Sequence, residues 1–363
     1  PAHREAAFDV VGAAYYGAPA EFAASAAAAV VEDLVLASEA GAQAAAECCA
    51  HLCGARGDAR VAGDVLRELS RVAADCGDAS RSSKQVATFV EHLGARSPAA
   101  ALAHVATLKA HLSSANHSLR SAVVAALAAV LEADAAKRAD AAANDASTDA
   151  ARERLGDATR DALFELVEER ARDASHWTRA ATLRALKGLV DARAVPLAWY
   201  ERVTAVGASR LKDKTAQVRK NALQLLGGCL EFNPYAPHLD PAPFRARYDA
   251  LAKVVLAAEA DRAAEDRAKA EAVLAKAAAA ADADEEDEDE EEEPAVDEEA
   301  VAREAAARAA QLKELEYFGS AVAFVDRLER AGEKALKLLR SATATDASCA
   351  CLLYTSPSPR DRG

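Results

Sequence analysis

The chain has 363 residues, of which 52% are hydrophobic and 5% aromatic, and its formal net charge is −14. Much of the apolar fraction is alanine, which favours helix and buries little area, so the composition argues against a sandwich or barrel with one large core. The acidity is local, because fourteen acids lie between Asp282 and Glu299, and the remaining 44 acids match the 44 basic residues. We therefore expect one acidic tract within an otherwise balanced protein.

Residues 1–80 predict an alanine-rich helical N-terminal part. Residues 81–235 predict a helical array, since large apolar residues recur at spacings of three and four. Its helices are predicted at about 86–93, 99–112, 119–131, 159–171, 177–190, 196–211 and 216–230, and Gly94 with Ser97-Pro98 is expected to end the first. Residues 134–150 have no large apolar residue and predict an exposed insertion within the array.

Beyond the array, residues 236–280 predict one long charged helix, and residues 301–346 predict that the helical repeats continue. The acidic tract at 281–300 has no apolar stripe to bury and is expected to be disordered. Residues 347–363 change composition abruptly, which we interpret as a non-native tail translated from cloning or adaptor sequence; the repeat expected after Asp346 would then be missing. Because the chain lacks Met and starts at Pro1, we expect a fragment of a longer protein.

A short pattern recurs within the array. Asp173 and Arg179 reappear as Asp213 and Arg219, 40 residues later, and the segment 116–120 is a looser copy. A period of about 40 residues with two helices per unit is typical of HEAT and armadillo repeats. The sequence therefore predicts an all-α fold: a HEAT/armadillo-type α-solenoid of stacked antiparallel helix pairs, with a disordered acidic insertion.

The recurring residues have a predicted structural role. An Asp before the second helix of a pair can cap its free amides and suits the helix dipole. The Arg can reach the cap or the carbonyl groups of the neighbouring repeat. We therefore expect a structural repeat ladder, made of Asp173, Arg179, Asp213 and Arg219.

A basic zone lies between His176 and Lys220, with ten Lys or Arg residues and three acids. A basic stripe along stacked helices would contact the phosphate backbone of DNA without reading bases, and such binding depends strongly on salt. The alternative is that these residues belong to solvated helix faces and to the ladder. The predicted DNA-binding residues are Arg210, Lys212, Lys214, Lys220 and Arg193.

The sequence lacks the motifs of common enzymes: no phosphate-binding glycine-rich loop, HExxH motif, nucleophile elbow or kinase motif is present. We therefore predict no enzymatic activity, no cofactor and no small-molecule substrate. Cys49, His51 and Cys53 lie close together, but no second ligand pair follows at zinc spacing, so no metal site is predicted. No signal peptide opens the chain, and its longest apolar run is too short to span a bilayer, so we expect a soluble intracellular protein without a membrane partner.

Residues 210–226, continuing through 231–235, resemble the best-marked repeat of the condensin complex subunit 1 family. The segments 176–186 and 195–197 resemble its preceding repeat. The segments 84–93, 104–112 and 118–120 resemble its upstream part, and 316–325 with 338–341 resemble its helix beyond the acidic insertion. The resemblance covers about 80–346, and Thr178 departs from it, because a larger β-branched residue is usual there.

The resemblance implies a non-catalytic scaffold or regulatory subunit of condensin in mitotic chromosome condensation. Its implied partners are the kleisin and SMC subunits and DNA or chromatin without sequence preference. Its implied location is the nucleus and chromosomes, and also the cytoplasm. Two alternatives stay open: a generic HEAT-repeat protein-binding scaffold of the transport-receptor or phosphatase-scaffold type, and the equivalent subunit of the second condensin complex.

Overall fold

The computed structural model describes residues 2–75, 81–143, 154–235, 240–281, 298–341 and 343–355. These residues form helices and turns, with no β-strand among them. The chain divides into two compact units: unit 1 is Pro1–Pro234 together with Arg330–Gly363, and unit 2 is Tyr235–Glu329. Within the described part, no helix combines the length and the apolar character needed to cross a membrane.

Unit 1 begins with four helices. They are α1 (Ala2–Gly17), α2 (Ala20–Ala29) with a π-helical continuation at Val30–Val35, α3 (Glu39–Arg56) and α4 (Arg60–Asp75). Gly57 caps the C-terminal end of α3, and its φ of 63° is left-handed and suits a glycine. The ring of His104 bonds the carbonyl oxygen of Ala59 at 2.8 Å, which ties this part to the helices that follow.

The repeat array continues unit 1. Its helices are α5 (Arg81–Arg96), α6 (Pro98–Ala103), α7 (Val105–His111), α8 (His117–Ala143), α9 (Asp157–Arg170), α10 (His176–Asp191), α11 (Tyr200–Arg210), which follows a 3-10 turn at Leu197–Trp199, and α12 (Ala216–Glu231). Helices α5, α8, α10 and α12 pack side by side in chain order, and α7, α9 and α11 each pack against the helix that follows them.

The core of the array lies on the faces that the periodicity predicts. In α8 the buried residues with large side chains are Leu119, Val123, Val124, Leu127, Val130 and Leu131. Helix α8 packs against both α5 and α10, and none of its residues from His117 to Leu131 is exposed, so a pair of helices completes its core only by stacking on the next pair. The predicted all-α solenoid of stacked helix pairs is confirmed.

One predicted helix end is confirmed, and one predicted helix is wrong. Helix α5 ends at Arg96, directly before Ser97 and Pro98, as predicted, and Gly94 lies in its last turn. A Cβ atom on Gly94 would lie 2.5 Å from the Cα atom of Ala126, so the glycine permits the close packing of α5 on α8. The single helix predicted over 99–112 is two helices, α6 and α7, which meet at His104.

Helix α8 extends beyond the point where the insertion at 134–150 was predicted to begin. Asp134 is buried, and its carboxylate accepts hydrogen bonds from the Leu155 amide and from the Arg138 guanidinium, both at 2.7 Å. The predicted insertion therefore starts inside a packed helix, and residues 144–150 lie outside the described part of the chain.

Unit 2 consists mainly of two long helices, α13 (Pro241–Ala281) and α14 (Glu298–Leu338), whose residues from Arg330 onward belong to unit 1. Tyr235 is buried, and its ring centroid lies 6.3 Å from that of Phe244 and 5.4 Å from those of Tyr317 and Phe324. This aromatic cluster gives unit 2 a core of its own. Most of the acidic tract, residues 282–297, lies outside the described residues, so its disorder stays a prediction.

The final described element is α15 (Ala344–Thr355), which packs against α12 within unit 1. Ala350 is fully buried, although it belongs to the segment 347–363 that we interpreted as foreign. The segment after Asp346 therefore contributes one helix to unit 1, and the absence of the full repeat expected there stays a prediction. Residues 356–363 lie outside the described part, and the foreign origin of the tail stays a prediction.

Candidate functional site

Each ladder arginine holds two neighbouring repeats together. The Nε and Nη2 groups of Arg179 donate to both carboxylate oxygens of Asp213, at 2.8 and 3.0 Å. Its Nη1 group donates backward to the carbonyl oxygens of Asp173 and Ala174, at 2.9 and 3.0 Å. Lysine could not form this arrangement, because its single ammonium group lacks the planar, forked donors of a guanidinium.

The same arrangement occurs at three successive places. Arg120 donates to both oxygens of Asp173 at 2.8 Å, and Arg219 donates to Asp346 with a shortest distance of 2.7 Å. Each arginine also donates to two carbonyl groups in the turn before its own helix. The structure therefore brings Asp173, Arg179, Asp213 and Arg219 into one ladder, and it adds Arg120 and Asp346.

The ladder is buried and electrostatically matched. The three arginine side chains are 11–15% exposed, and the three aspartates are 1–4% exposed. Burial by itself would raise the pKa of Asp213, but the hydrogen bonds from Arg179 and from the Thr215 amide outweigh it and hold the pKa below its usual value. The same balance, with Arg120 and the Ser175 amide, lowers the pKa of Asp173. The guanidinium groups of these arginines are therefore already paired with carboxylates within the protein.

Asp346 was not predicted as part of the ladder. It is buried, it accepts from Ser341 Oγ at 2.9 Å as well as from Arg219, and it lies in the first turn of α15. The signal available in the sequence was its position at the expected start of the next repeat. The pair Arg219 and Asp346 joins the repeat before unit 2 to the segment after it, and both residues belong to unit 1.

Thr178 departs from the resemblance and has a specific contact. Its side chain is fully buried, and its hydroxyl donates to the carbonyl oxygen of His117 at 3.3 Å. Ser121 Oγ donates to the Thr178 hydroxyl at 3.4 Å. Compared with the larger β-branched residue that is usual there, Thr178 thus provides less apolar volume but adds a hydrogen bond between α8 and α10.

Four of the predicted DNA-binding residues lie near one turn. Lys212 and Lys214 are exposed on either side of Asp213, and Lys220 is partly exposed one turn into α12. Among the described residues, none of these three lysines has an ion-pair partner. Arg210 is less available, because its Nη1 atom lies 3.7 Å from Asp213 Oδ2.

Arg193 lies on the opposite edge of the array. The ladder joins the starts of α10 and α12, whereas Arg193 follows the end of α10 and stacks 5.7 Å from the ring of Phe232, which follows the end of α12. A helix of 16 residues spans about 24 Å, so Arg193 is separated from the three lysines by roughly that length. The structure therefore does not bring all five predicted residues together.

One basic residue of the same edge was missed. Arg172 precedes Asp173 as Lys212 precedes Asp213, and its side chain is well exposed, with Glu168 at 3.6 Å. Its position one residue before the repeated Asp is visible in the sequence, but the basic zone was defined from His176 onward and therefore did not include Arg172. Arg172 extends the exposed positive charge to the preceding turn.

The described residues contain no group of three or more His, Cys, Asp or Glu side chains arranged to hold a metal ion. Cys49 is buried, and burial raises the pKa of its thiol, which opposes the thiolate form that metal ligands take. His51 instead bonds Asp9 at 2.8 Å.

The curated proteins that resemble this chain are condensin subunits, although no family model matches it. Human condensin complex subunit 1 is 30% identical over 186 residues, which is 50% of this chain and 12% of that protein. The Condensin-1 complex subunit CAP-D2 of Arabidopsis thaliana is 33% identical over 161 residues, or 44% of this chain and 11% of that protein. The chain is related to condensin complex subunit 1. It spans about 12% of the length of these relatives.

A solved structure of an engineered protein covers 87% of this chain at 17% identity, with a TM-score of 0.31. That score is too low to support an argument about fold or function. The relation to condensin subunit 1 therefore rests on sequence, and the assignment of a repeat array rests on the ladder and the helix packing.

Proposed function

We propose that this chain belongs to a non-catalytic regulatory scaffold subunit of a condensin complex, acting in the nucleus and on mitotic chromosomes. The observation that carries the proposal is the sequence relation to condensin complex subunit 1 in animals and a plant. In this proposal the repeat array binds the kleisin subunit, and SMC subunits of the complex supply ATP hydrolysis. The buried ladder makes the array a rigid support for such contacts.

The proposal includes a DNA contact at the turn edge, made by Lys212, Lys214 and Lys220. These lysines have no ion-pair partner among the described residues, so their charge is available to phosphate groups. The ladder arginines are excluded from this role by their occupied guanidinium groups. Binding by lysines as point charges would be independent of sequence and weakened by salt.

The DNA contact is tested by titrating a fluorescent DNA duplex with the full chain at several salt concentrations. Replacing Lys212, Lys214 and Lys220 by alanine should weaken binding at low salt. Each lost phosphate contact should reduce the slope of log affinity against log salt by about 1.

The matched control is Lys187→Ala, because Lys187 already pairs with Asp191 on the same helix. This variant should leave the salt slope unchanged. Equal slopes for the wild-type chain and the triple variant would contradict the DNA contact at this edge.

The kleisin contact is tested by a pull-down of the full chain with the kleisin subunit of the same organism, with a transport-receptor cargo peptide as the control bait. Retention by kleisin alone supports the condensin proposal. Retention by the cargo peptide alone would favour the generic protein-binding scaffold. The equivalent subunit of the second condensin complex is distinguished by repeating the pull-down with the kleisin of that complex.

A further inference from the structure

The edge of the array that carries the lysines also carries an exposed tryptophan. Trp177 is the second residue of α10, and 56% of it is exposed. In the neighbouring repeats the equivalent residues, two positions before each ladder arginine, are Ser118 and Gln217. The repeat pattern therefore does not require an aromatic residue at this place. A single exposed aromatic side chain needs no ligand to explain it, so its surroundings decide what it can do.

The ladder fixes the position of Trp177 relative to the lysines. Arg179, two residues further along α10, donates to both carboxylate oxygens of Asp213, and Lys212 and Lys214 flank that aspartate. Helices α10 and α12 pack against each other, and packed helices lie about 8–10 Å apart. The first turn of α10 and the turn before α12 are therefore neighbours on one edge, and a short stretch of one nucleic-acid strand can contact both.

The charge beside this tryptophan is positive and available. Lys212 and Lys214 are exposed and Lys220 is partly exposed, and none of the three pairs with an acid among the residues that the structure describes. Asp213, which lies between the first two lysines, is already neutralised by its ladder arginine. Arg172 adds an exposed guanidinium at the place equivalent to Lys212 in the preceding turn. The surroundings of the indole therefore attract an anionic ligand.

An exposed aromatic ring beside unpaired basic side chains suits a single nucleic-acid strand. Basic side chains bind the phosphates of such a strand, and an unpaired base stacks on the aromatic ring whatever the sequence. In an intact duplex each base is already stacked on its neighbours and offers only its edge in a groove. A duplex can therefore use the lysines, but it has no free base to place on the face of Trp177.

We propose that the edge formed by Trp177, Lys212, Lys214 and Lys220 binds unpaired, single-stranded DNA, with one base stacked on the indole and the adjacent phosphates on the lysines. The start of α10 holds the ring in place, because the Ser175 hydroxyl accepts from the Trp177 amide at 3.3 Å and the His176 ring centroid lies 4.7 Å from that of Trp177. The edge thereby distinguishes unpaired from paired DNA, which phosphate contacts alone do not. This inference rests on the proposed function, in which the lysines contact DNA.

The test compares the affinity of the full chain for three probes at one salt concentration. They are an oligodeoxythymidine, a strand of equal length that keeps the phosphates but lacks the bases, and a mixed-sequence duplex. The wild-type chain should bind oligodeoxythymidine about fivefold or more tightly than the strand without bases. Trp177→Ala should abolish this difference and leave the affinity for the duplex unchanged. Because the side chain is exposed, the variant should fold as the wild-type chain does.

Two further variants separate stacking from a general effect of surface hydrophobicity. Trp177→Phe keeps a smaller aromatic face and should retain part of the preference for the strand with bases. Phe22→Ala removes another exposed aromatic side chain, in α2 and outside the repeat array, and should retain all of it. The triple lysine variant should weaken binding of all three probes, with a salt slope for oligodeoxythymidine that falls by about 0.7 for each lost phosphate contact.

Tryptophan fluorescence reports on the indole directly. The chain has two tryptophans, so the difference between the emission of the wild-type chain and that of Trp177→Phe gives the emission of Trp177. Stacking with a base should quench this emission when oligodeoxythymidine is added. The strand without bases and the duplex should leave it unquenched.

The outcomes separate the two proposals. If the wild-type chain binds none of the probes, both the DNA contact and this inference are wrong. If it binds the duplex but shows no preference for oligodeoxythymidine over the strand without bases, only the stacking is wrong. If Trp177→Ala weakens binding of all probes equally, the indole does not contact a base. If the triple lysine variant binds oligodeoxythymidine as the wild-type chain does, the single strand does not lie on this edge.

Discussion

The arginines of the repeat array and those of unit 2 form the same kind of ion pair in different surroundings. Arg120, Arg179 and Arg219 of the array are 11–15% exposed and pair with aspartates that are 1–4% exposed. In unit 2, Arg245 and Arg247 are 52% and 56% exposed, and their partners also reach solvent. The number of ion pairs alone would suggest equal stabilisation of the two regions. The pairs of the ladder are buried, however, whereas those of unit 2 are exposed to solvent.

The energetic difference follows from the cost of an unpaired charge. When one partner of a buried pair is removed, the other charge stays buried without compensation, which costs about 3–5 kcal/mol. An exposed pair loses little, because water and salt replace the partner, and such pairs contribute about 0–1 kcal/mol. In the array, buried polar links thus add to the apolar packing between repeats, whereas unit 2 combines an aromatic cluster with exposed ion pairs.

The largest expected effect is at the ladder. Asp213→Ala should lower the free energy of unfolding by about 3 kcal/mol, because the guanidinium of Arg179 would lose both carboxylate bonds. Asp346→Ala should cause a similar loss, since Asp346 is the acceptor for Arg219. Urea unfolding followed by circular dichroism gives both values.

Arg179→Lys is the conservative control for the ladder. It keeps the charge but lacks the forked donors, so it should recover only part of the stability lost in Arg179→Ala. Full recovery would mean that charge alone holds the repeats together. A negligible loss in Asp346→Ala would contradict the continuation of the array beyond unit 2.

A smaller effect is expected from pH. The pKa of Asp213 and that of Asp173 are lowered in the folded protein, so these carboxylates stabilise the fold above the unfolded pKa of about 4. That stability should be lost as the pH falls through the lowered folded values. Melting temperature should therefore decline below about pH 4.

The Asp213→Asn variant tests the origin of this decline. It should melt at a lower temperature at neutral pH and show a shallower decline in acid. Asp261→Asn, at an exposed position on α13, is the matched control and should follow the wild-type curve. A wild-type melting temperature that stays flat down to pH 3 would rule out the ladder as an acid-sensitive element.

The sequence predicted the ladder at Arg179 and Arg219 because the repeat spacing and the helix periodicity are local signals. It missed Asp346 as the partner of Arg219, because unit 2 separates the two residues along the chain, and the position of Asp346 at the expected start of a repeat does not identify which arginine it pairs with. It grouped Arg193 with the lysines, since adjacency along the chain does not show that a helix separates two edges of the array. The charge count of the basic zone included Arg179 and Arg219, but the repeat pattern had already predicted their structural role, and their burial agrees with it.

The ion pairs of unit 2 should matter less than those of the ladder. Arg245 donates to both carboxylate oxygens of Asp326 at 2.8 Å, but the arginine is half exposed. We expect Arg245→Ala to lower the free energy of unfolding by no more than about 1 kcal/mol, with a smaller effect at high salt. A loss as large as that of Asp213→Ala, measured by urea unfolding, would remove the distinction between the two regions.

The smallest expected effect is at Arg193, where two local terms oppose each other. Its φ of 55° is left-handed, which costs a non-glycine residue about 1–2 kcal/mol, so Arg193→Gly should relieve strain at the end of α10. The substitution also removes the stacking on Phe232, which contributes about 0.5–1 kcal/mol at an exposed site. We therefore expect a net gain in the free energy of unfolding of no more than about 1 kcal/mol. Because Arg193 lies on the edge opposite Lys212 and Lys214, the salt dependence of DNA binding should not change. A reduced salt slope in Arg193→Gly would instead mean that DNA crosses the array from one edge to the other.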